Sequence, residues 1–406
     1  MPLPLYPRTR RDFIRDGIGL AALSATVPSF LSRTAFALDG QASPRRDNRV
    51  LVVIQLSGGN DGLNTVIPYH DDAYRRLRPT IGIPDAEILK IHEDIGLHPG
   101  LKPLQSLYGD GNLAIVQGVG YPNPDRSHFR SMEIWHTAQP DEYASTGWIG
   151  KLFDHTCGNA GCSPTASISI GQTVPPPLVG ELTSGIAFSD PDSLYRMTQV
   201  TKAASDTAAG TGDSQLDFLR RTALDATVSA KEVRDASKRT RSSTDYPRSG
   251  IGRDLHTVAD LIAGDLDTRV YYVDHGGFDT HANQQATQQR LLEQLADALS
   301  AFTADLKARG QADRVVGMVF SEFGRRVKEN GSRGTDHGQA APLFLFGEPV
   351  KGGLHGSHPS LTTLDKGDLK YAIDFRRIYA TLLADWLGTD AKAILGADFA
   401  PLPLLG

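Results

Sequence analysis

Five short apolar runs, rich in β-branched residues and separated by longer polar segments, constrain the fold of this chain more than any other feature. The runs are 50–56, 113–119, 270–273, 315–320 and 343–346. Continuous apolar runs of this length are typical of strands that are buried on both faces of a parallel sheet. Apolar residues recur at helical spacing over 283–309 and over 374–387. This alternation predicts an α/β fold, with a doubly wound, mostly parallel sheet and helices on both faces.

The first 37 residues have the features of a twin-arginine signal peptide. Arg10 and Arg11 precede a moderately apolar run over 18–31, and a small-x-small cleavage site follows at 35–37. The run is too short and too interrupted to cross a hydrocarbon core of roughly 30 Å. An amphipathic first helix or a membrane anchor is the alternative. We expect the Tat translocase to export the chain, and the mature protein to be periplasmic or secreted and to have no membrane span.

The charge and the cysteine content exclude several classes of protein. The formal net charge is -5, so a nucleic-acid partner is not expected. The two cysteines, Cys157 and Cys162, are too few for a Cys-rich zinc fold or a disulfide-dense scaffold. In an oxidising compartment they would form a short-loop disulfide, and otherwise they are free thiols.

The segment that follows the signal peptide, 38–406, is interpreted as a single large domain. One part of it differs in composition, because Ala, Ser, Thr, Asp and Arg dominate over 199–248. We interpret 163–248 as an insertion or cap that packs beside the sheet.

Titratable and hydroxyl-bearing residues occupy the loops next to all five predicted strands. They are Asp61 after the first strand, Arg126, Ser127 and His128 after the second, Asp279 and His281 after the third, Glu322 after the fourth, and Asp336 and His337 just before the fifth. Ligands of open α/β sheets bind beyond the carboxyl ends of the strands, where such loops converge. Carboxylates and imidazoles are ligands of Zn²⁺, Mn²⁺ and Mg²⁺. We therefore predict a site for one or two divalent ions at that edge.

Several of these residues also have an ordinary structural interpretation. Asp61 lies in an Asn-Asp-Gly sequence that favours a turn. Ser127 precedes a predicted helix over 129–135 and would cap it, although a serine at a helix N-terminus is also a candidate nucleophile or phosphate anchor. His128 would serve equally well in a structural hydrogen bond. Asp336 would serve equally well to orient a histidine from behind a metal.

Five segments taken together resemble the signature of the DUF1501 family, a branch of the alkaline phosphatase and sulfatase-like superfamily. The segments are 52–68, 126–129, 276–284, 320–325 and 334–342. The resemblance extends from the signal peptide to the C-terminal helix. It implies an alkaline phosphatase-like fold and a two-metal site.

The resemblance also implies roles for individual residues. It implies Asp61 as the bridging carboxylate, Ser127 as the nucleophile, Asp279 with His281 as the ligand pair of one metal, Glu322 as a ligand of the second, and His337 as a late histidine ligand. The chain departs from the pattern at Glu322-Phe323, where the superfamily has an Asp-His pair, so one histidine ligand is missing. The second metal would then be weak or absent, and Arg126 or Arg325 would supply positive charge to an anionic substrate.

Two functions are compatible with these features. The first is a metal-dependent hydrolase of phosphate or sulfate esters, acting on a small-molecule or glycan substrate, with Ser127 or a metal-activated water as the attacking group. The second is a non-catalytic exported protein that binds a glycan or a protein on the same fold. A redox cofactor is a weaker, third hypothesis, because the chain has no GxGxxG loop and no cysteine cluster to support it.

Overall fold

The elements of the fold were obtained from a computed structural model, which describes residues 48–158, 162–207 and 214–406, and of residues 200–225 only the backbone. The strands are β1 Val50–Ser57, β2 Val66–Ile67, β3 Leu89–Lys90, β4 Gly96–Leu97, β5 Leu113–Gly120, β6 Ser167–Ile170, β7 Ile186–Phe188, β8 Val270–Gly276, β9 Val315–Phe320, β10 Ala341–Phe346, β11 Gly353–His355 and β12 Ile373–Asp374. The helices are α1 Gly62–Thr65, α2 Asp72–Leu77, α3 Lys102–Gly109, α4 His128–Thr137, α5 Trp148–Cys157, α6 Pro191–Thr207, α7 Ser214–Arg239, α8 Gly250–Ala263, α9 Gln284–Ala308, α10 Phe375–Thr381 and α11 Ala391–Leu395. The predicted signal peptide lies outside the described residues.

All five predicted strands are present, as β1, β5, β8, β9 and β10. The helix predicted over 283–309 is α9, and the one predicted over 374–387 is α10 with a π-helical turn, Leu382–Trp386, at its end. The helix predicted over 129–135 is α4. Short strands that lack a long apolar run, such as β6, β7 and β11, were not predicted, because three or four residues carry too little periodic signal.

The main sheet is mixed but mostly parallel. Among the described residues it has the order β11-β5-β10-β9-β1-β8-β6-β7, with β12 beside β5. Strand β1 pairs in parallel with β8 and β9, whereas β10 is antiparallel to β9 and β5. Because β10 is reversed, its amino end lies at the same edge as the carboxyl ends of β1, β5, β8 and β9. The predicted α/β fold class is confirmed.

Both faces of the sheet are covered, which is why its strands are apolar on both sides. Val52 and Ile54 of β1 belong to one buried cluster, which also contains Leu292 of α9 and Leu255 of α8. Leu51 and Val53 belong to a second cluster, which also contains Ile134 of α4, Leu152 of α5 and Ile378 of α10. Alternate side chains of a strand point to opposite faces, so both halves of an unbroken apolar run are buried.

The segment 163–248, interpreted from sequence as an insertion or cap, contributes both to the sheet and to its surroundings. Its strands β6 and β7 extend the main sheet beyond β8, and its helices α6 and α7 follow in the chain. Just before it, Cys157 and Cys162 form a disulfide. No described helix combines the length and the apolar character that a membrane crossing requires.

Candidate metal centre

The loops that carry the predicted site residues meet at the edge where β1, β5, β8 and β9 end and β10 begins. The backbone N–H of Gly58, just after β1, donates to Glu322 Oε1, just after β9, at 2.8 Å. Gly58 has a φ of +119°, and a Cβ there would lie 2.4 Å from the nitrogen of Asp279. Glycine at this position therefore allows the loops after β1 and β8 to come into contact.

Asp279 is surrounded by three histidines from three different loops. Its Oδ1 lies 3.0 Å from His281 Nε2 and 3.1 Å from His337 Nε2, and those two nitrogens are 2.9 Å apart. Its Oδ2 lies 3.5 Å from His128 Nε2. Three potential ligand atoms, one each from His128, Asp279 and His337, all lie within 4.8 Å of one another.

Each of the three imidazoles is oriented by a contact on the side away from the centre, where its Nδ1 faces an oxygen. These oxygens are Glu322 Oε1 for His128 at 2.9 Å, Asp336 Oδ1 for His281 at 3.3 Å, and the carbonyl of Arg126 for His337 at 2.8 Å. A carboxylate or a carbonyl only accepts hydrogen bonds, so a neutral ring that donates from Nδ1 presents the lone pair of its Nε2 to the centre. A second partner on Nδ1 is the usual way in which proteins orient a histidine toward a metal.

The resulting group of atoms has the composition of a metal site. Three imidazole Nε2 atoms and the two carboxylate oxygens of Asp279 face one another, and Arg325 Nη2 also donates to Asp279 Oδ1 at 2.7 Å. Ligand atoms on metal bonds of about 2.1 Å are about 3.0 Å apart at right angles and about 3.4 Å apart in a tetrahedron. The separations between Asp279, His281 and His337 are 2.9–3.1 Å, nearer to the right-angle value. Imidazole and carboxylate ligands in this proportion suit Zn²⁺ or Mn²⁺.

The charges of these groups at neutral pH agree with a metal-binding role. Burial lowers the pKa of His337, which keeps its imidazole neutral. Burial raises the pKa of Asp279, but hydrogen bonds from Arg325 and His337 and the charge of Arg325 more than offset this, so that its pKa falls to about 2. Asp279 is thus ionised over the whole physiological range, as a metal ligand must be.

Glu322 and Asp336, both predicted as metal ligands, are placed behind histidines. The Glu322 side chain is 1% exposed, and its Oε1 is shared between His128 and the N–H of Gly58. Asp336 faces His281 and accepts a hydrogen bond from Asn330 at 3.1 Å. The sequence analysis gave two interpretations of Asp336, a metal ligand and a residue that orients a histidine. Its position beside His281 Nδ1 matches the second interpretation. His128, predicted as a catalytic residue, directs Nε2 at the centre instead.

Asp61 is not part of this group of atoms. Its side chain is fully buried and forms a 2.5 Å ion pair with Arg78. It also accepts hydrogen bonds from Gln284 at 2.5 Å and from the N–H of Leu63 at 3.2 Å. The oxygens of Asp61 are thus occupied by protein donors, and the residue caps α1. The bridging role that the family resemblance implied does not match this geometry.

Ser127 and Arg126 lie beside the centre. Ser127 is exposed at the N-cap of α4, where its side chain makes no capping hydrogen bond and its N–H donates to Asp125 Oδ1 at 2.6 Å. Arg126 contributes its carbonyl to His337, while its guanidinium pairs with the buried carboxylate of Asp368. The serine hydroxyl is therefore available to a bound molecule, and the arginine is partly neutralised.

One residue of the site differs from its predicted role and another was not assigned from the sequence. Arg325, predicted as a source of positive charge for an anionic substrate, is instead buried beside Asp279, with its side chain 0% exposed. Phe129, directly after His128, is 90% exposed. The glycine-rich stretch 276–284 and the FSEFGR stretch 320–325 marked this region, but their spacing could not show that Arg325 would face Asp279.

The fold and the site together define an α/β protein with a candidate metal centre at the carboxyl edge of a mostly parallel sheet. A family model described as "Protein of unknown function (DUF1501)" matches residues 48–397. The chain therefore belongs to the DUF1501 family. A comparison with curated proteins finds no match.

Several solved structures are similar to this chain at low identity. A protein in the alkaline phosphatase superfamily from Vibrio parahaemolyticus is 11% identical with a TM-score of 0.38, covering 91% of this chain and 76% of its own. The PsFucS1 sulfatase from Pseudoalteromonas sp. is 11% identical with a TM-score of 0.38, covering 98% and 75%. The C-terminal periplasmic domain of EcEptC from Escherichia coli, in complex with Zn, is 13% identical with a TM-score of 0.36, covering 77% and 76%. Likenesses this distant carry no conclusion about the activity of this chain.

Proposed function

We propose that the protein is a metal-dependent hydrolase that acts on phosphate or sulfate esters. The observation that carries the proposal is the convergence of His128, His281 and His337 on Asp279, with every Nδ1 held by an oxygen so that every Nε2 faces inward. Imidazole and carboxylate groups gathered in this way are suited to a divalent cation. The centre lies at the edge of the sheet where α/β proteins bind their ligands.

These four residues would hold the metal ion. When bound, a divalent cation supplies Lewis acidity, which polarises an ester oxygen and stabilises developing negative charge. Asp279 contributes the one negative charge among the four, so an occupied centre keeps a net positive charge toward an anionic ester. The proposal assigns Zn or Mn ahead of Mg, because three of the four ligands are imidazoles.

We assign Ser127 as the candidate nucleophile. It is exposed, it is adjacent to His128, and it stands at the N-terminus of the ten-residue helix α4. Backbone N–H groups and the positive end of the helix dipole favour an anion at that position. Attack by Ser127 Oγ would form a phosphoseryl or sulfoseryl group with departure of the alcohol, and hydrolysis would then restore the serine.

Arg126 is assigned to the recognition of the anionic part of the ester. Its side chain is 34% exposed, and that of Arg326 is 36% exposed. Both guanidiniums lie near a single carboxylate, Asp368, which is 0% exposed. Both guanidiniums are thus partly exposed beside the site, and guanidinium is well suited to tetrahedral oxyanions.

The test measures metal content and ester hydrolysis in the same preparations. The mature protein, purified without chelator, should contain near-stoichiometric Zn or Mn and hydrolyse at least one member of a panel of aryl phosphates, phosphodiesters and aryl sulfates. His281→Ala should lose both properties. His355→Ala is the matched control, because His355 Nε2 lies 2.8 Å from the carbonyl of Lys351, outside the centre. A wild type without metal after reconstitution would overturn the proposal.

A protein that binds metal but leaves every ester unchanged would support the non-catalytic alternative. In that case a glycan or protein ligand should still raise the thermal midpoint. Ser127→Ala separates the two further, because it should abolish turnover of a hydrolase and leave its metal content unchanged.

We also propose that residues 1–37 direct twin-arginine export. The support is the Arg10-Arg11 pair ahead of an interrupted apolar run and a small-x-small site. Replacement of both arginines by lysine should leave the precursor uncleaved in the cytoplasm, while the control Arg8→Lys should export normally. Normal export of the double variant would refute this assignment.

A further inference from the structure

The guanidinium of Arg325 is enclosed by oxygens from three of the loops that build the centre. The contacts are Nε to the carbonyl of Gly59 at 2.6 Å, Nη1 to that of Thr335 at 2.8 Å, Nη2 to that of Phe278 at 3.1 Å, Nη2 to Asp279 Oδ1 at 2.7 Å, and Nη2 to the carbonyl of Gly58. Gly58 and Gly59 follow β1, Phe278 and Asp279 follow β8, and Thr335 precedes β10. The side chain of Arg325 is 0% exposed.

This environment is that of a cation in a cage of hard oxygens. Carbonyl and carboxylate oxygens, contributed by separate loops around one positive charge, are what a protein offers to a divalent ion that prefers oxygen. Burial of a guanidinium is unfavourable unless its donors are met, and here every nitrogen has an oxygen partner. Arg325 therefore links the three loops in the way that a structural metal ion would.

The carboxylates that a second metal would need are occupied elsewhere. Asp61 is paired with Arg78 and with Gln284. Glu322 Oε1 is used by Gly58 N–H and His128, and its Oε2 lies 3.2 Å from Ser321 Oγ. Neither carboxylate has an oxygen directed at a second ion, so these residues do not fit a two-metal site.

We infer that the centre holds a single metal ion and that the buried guanidinium of Arg325 takes the place of a second cation. Arg325 is a positioning residue: it holds Asp279 Oδ1 toward the imidazoles and does not touch the substrate. The inference rests on the proposed metal centre for its one ion. It goes further because it excludes a second metal ion and assigns the positive charge of that ion to Arg325.

The first measurement is the number of ions bound by the mature chain in calorimetric titration with Zn²⁺ and with Mn²⁺, checked by elemental analysis. One ion per chain is expected. Two ions per chain would overturn the inference and leave the proposed hydrolase standing. No bound ion would overturn both, so the two failures are distinguishable.

The second measurement tests the role of Arg325 itself. Arg325→Ala should bind the ion at least about tenfold more weakly, as is typical when a residue that orients a ligand is lost. Added guanidinium chloride at millimolar concentration should restore part of that affinity, whereas sodium chloride at equal ionic strength should not. Arg325→Lys should fall between wild type and Arg325→Ala, since an ammonium keeps the charge without the planar set of donors.

Arg78→Ala is the matched control, because Arg78 is equally buried but pairs with Asp61 and not with Asp279. It should lose thermal stability and, when folded, bind the metal ion within about threefold of wild type, with no rescue of metal affinity by guanidinium. An Arg325→Ala variant with wild-type metal affinity would overturn the inference. Should Arg325→Ala fail to fold, Arg325→Lys and the wild-type stoichiometry decide.

Discussion

Two aspartates at the same edge of the sheet, each paired with an arginine whose side chain is 0% exposed, have opposite environments. Asp61 is itself 0% exposed, and Gln284 donates a hydrogen bond to the same carboxylate oxygen that pairs with Arg78. Asp279 is 48% exposed, and its ion pair with Arg325 leaves Oδ2 directed at His128. The difference shows that position after a strand does not decide whether a carboxylate is open to a ligand. What decides it is how many protein donors reach its oxygens.

The largest expected effect comes from removing each aspartate in turn. Asp61→Ala leaves the charge of Arg78 buried without its partner, which should lower the free energy of unfolding by about 3–5 kcal/mol. Asp279→Ala should lower it by about 1 kcal/mol or less, because Asp279 is half exposed and its ion pair with Arg325 is screened by solvent on that side. Metal binding should show the reverse order. Asp279→Ala should lose the metal ion, and folded Asp61→Ala should retain it. Urea unfolding of metal-free protein and a zinc titration measure both properties, and equal losses in the two variants would remove the distinction.

Acid should affect the buried region through histidines that are neutral in the folded state. Burial lowers the pKa of His98, against the charge of Asp61, to about 4, and burial lowers that of His136 to about 4. The unfolded values lie near 6.5, so the unfolded chain binds more protons between these limits. The contribution of these histidines to the free energy of unfolding is fully present above pH 6.5. It falls as the pH drops toward 4, by up to roughly 3 kcal/mol for each histidine.

Urea midpoints measured from pH 7.5 to pH 4.5 check this dependence. His98→Asn keeps an acceptor for the N–H of Gly100, which His98 Nδ1 binds at 3.0 Å, and removes the titration. The slope of stability against pH should therefore become shallower in this variant. An unchanged slope would show that His98 does not control it.

A smaller effect is expected from the carboxylates that hold the histidines from behind. Asp336→Asn preserves an acceptor for His281 Nδ1 but removes the charge, and Glu322→Gln does the same for His128. Each should weaken zinc binding by about tenfold. The exposed pair of Asp85 and Arg75 supplies the control Asp85→Asn, which should bind zinc as wild type does. Loss of zinc from the control as well would indicate a general charge effect.

The smallest effect is expected at the exposed aromatic ring next to the centre. Phe129 is 90% exposed, so Phe129→Ala should change stability by no more than about 0.5 kcal/mol. If the organic part of the ester packs on this ring, KM should rise several-fold while kcat changes little. Leu182→Ala, at another exposed apolar residue, should leave both constants unchanged, and an unaltered KM in Phe129→Ala would exclude the ring from substrate binding.

Much of the fold was predictable because its main signal is local. An apolar run such as 315–320 predicts a buried strand without reference to any other part of the chain, and β9 begins and ends at those residues. The edge at which the loops meet was also predictable, because it follows from strand direction. The reversal of β10 was not predicted, yet it brings the loop with Asp336 and His337 to the same edge, since that loop precedes β10.

The roles of individual residues within the site depended on partners far away in the sequence. Asp61 resembled a metal ligand because no local pattern identifies the donors that occupy it, Arg78 and Gln284, and Gln284 lies 223 residues later. His128 was predicted as a catalytic residue, although Glu322, 194 residues later, fixes its Nδ1 and directs its Nε2 to the centre. In both cases the loop could be located from the sequence, and the hydrogen-bond partners of the side chain could not.

By itself the sequence determined which strands are buried, at which edge the loops meet and which residue types are gathered there, because these follow from local hydrophobicity and chain direction. The tertiary structure alone decided which carboxylate is enclosed and which is open, and which face of each imidazole is free. The physical reason is that a charged side chain is defined by the donors around it, and those donors come from loops that only folding brings together.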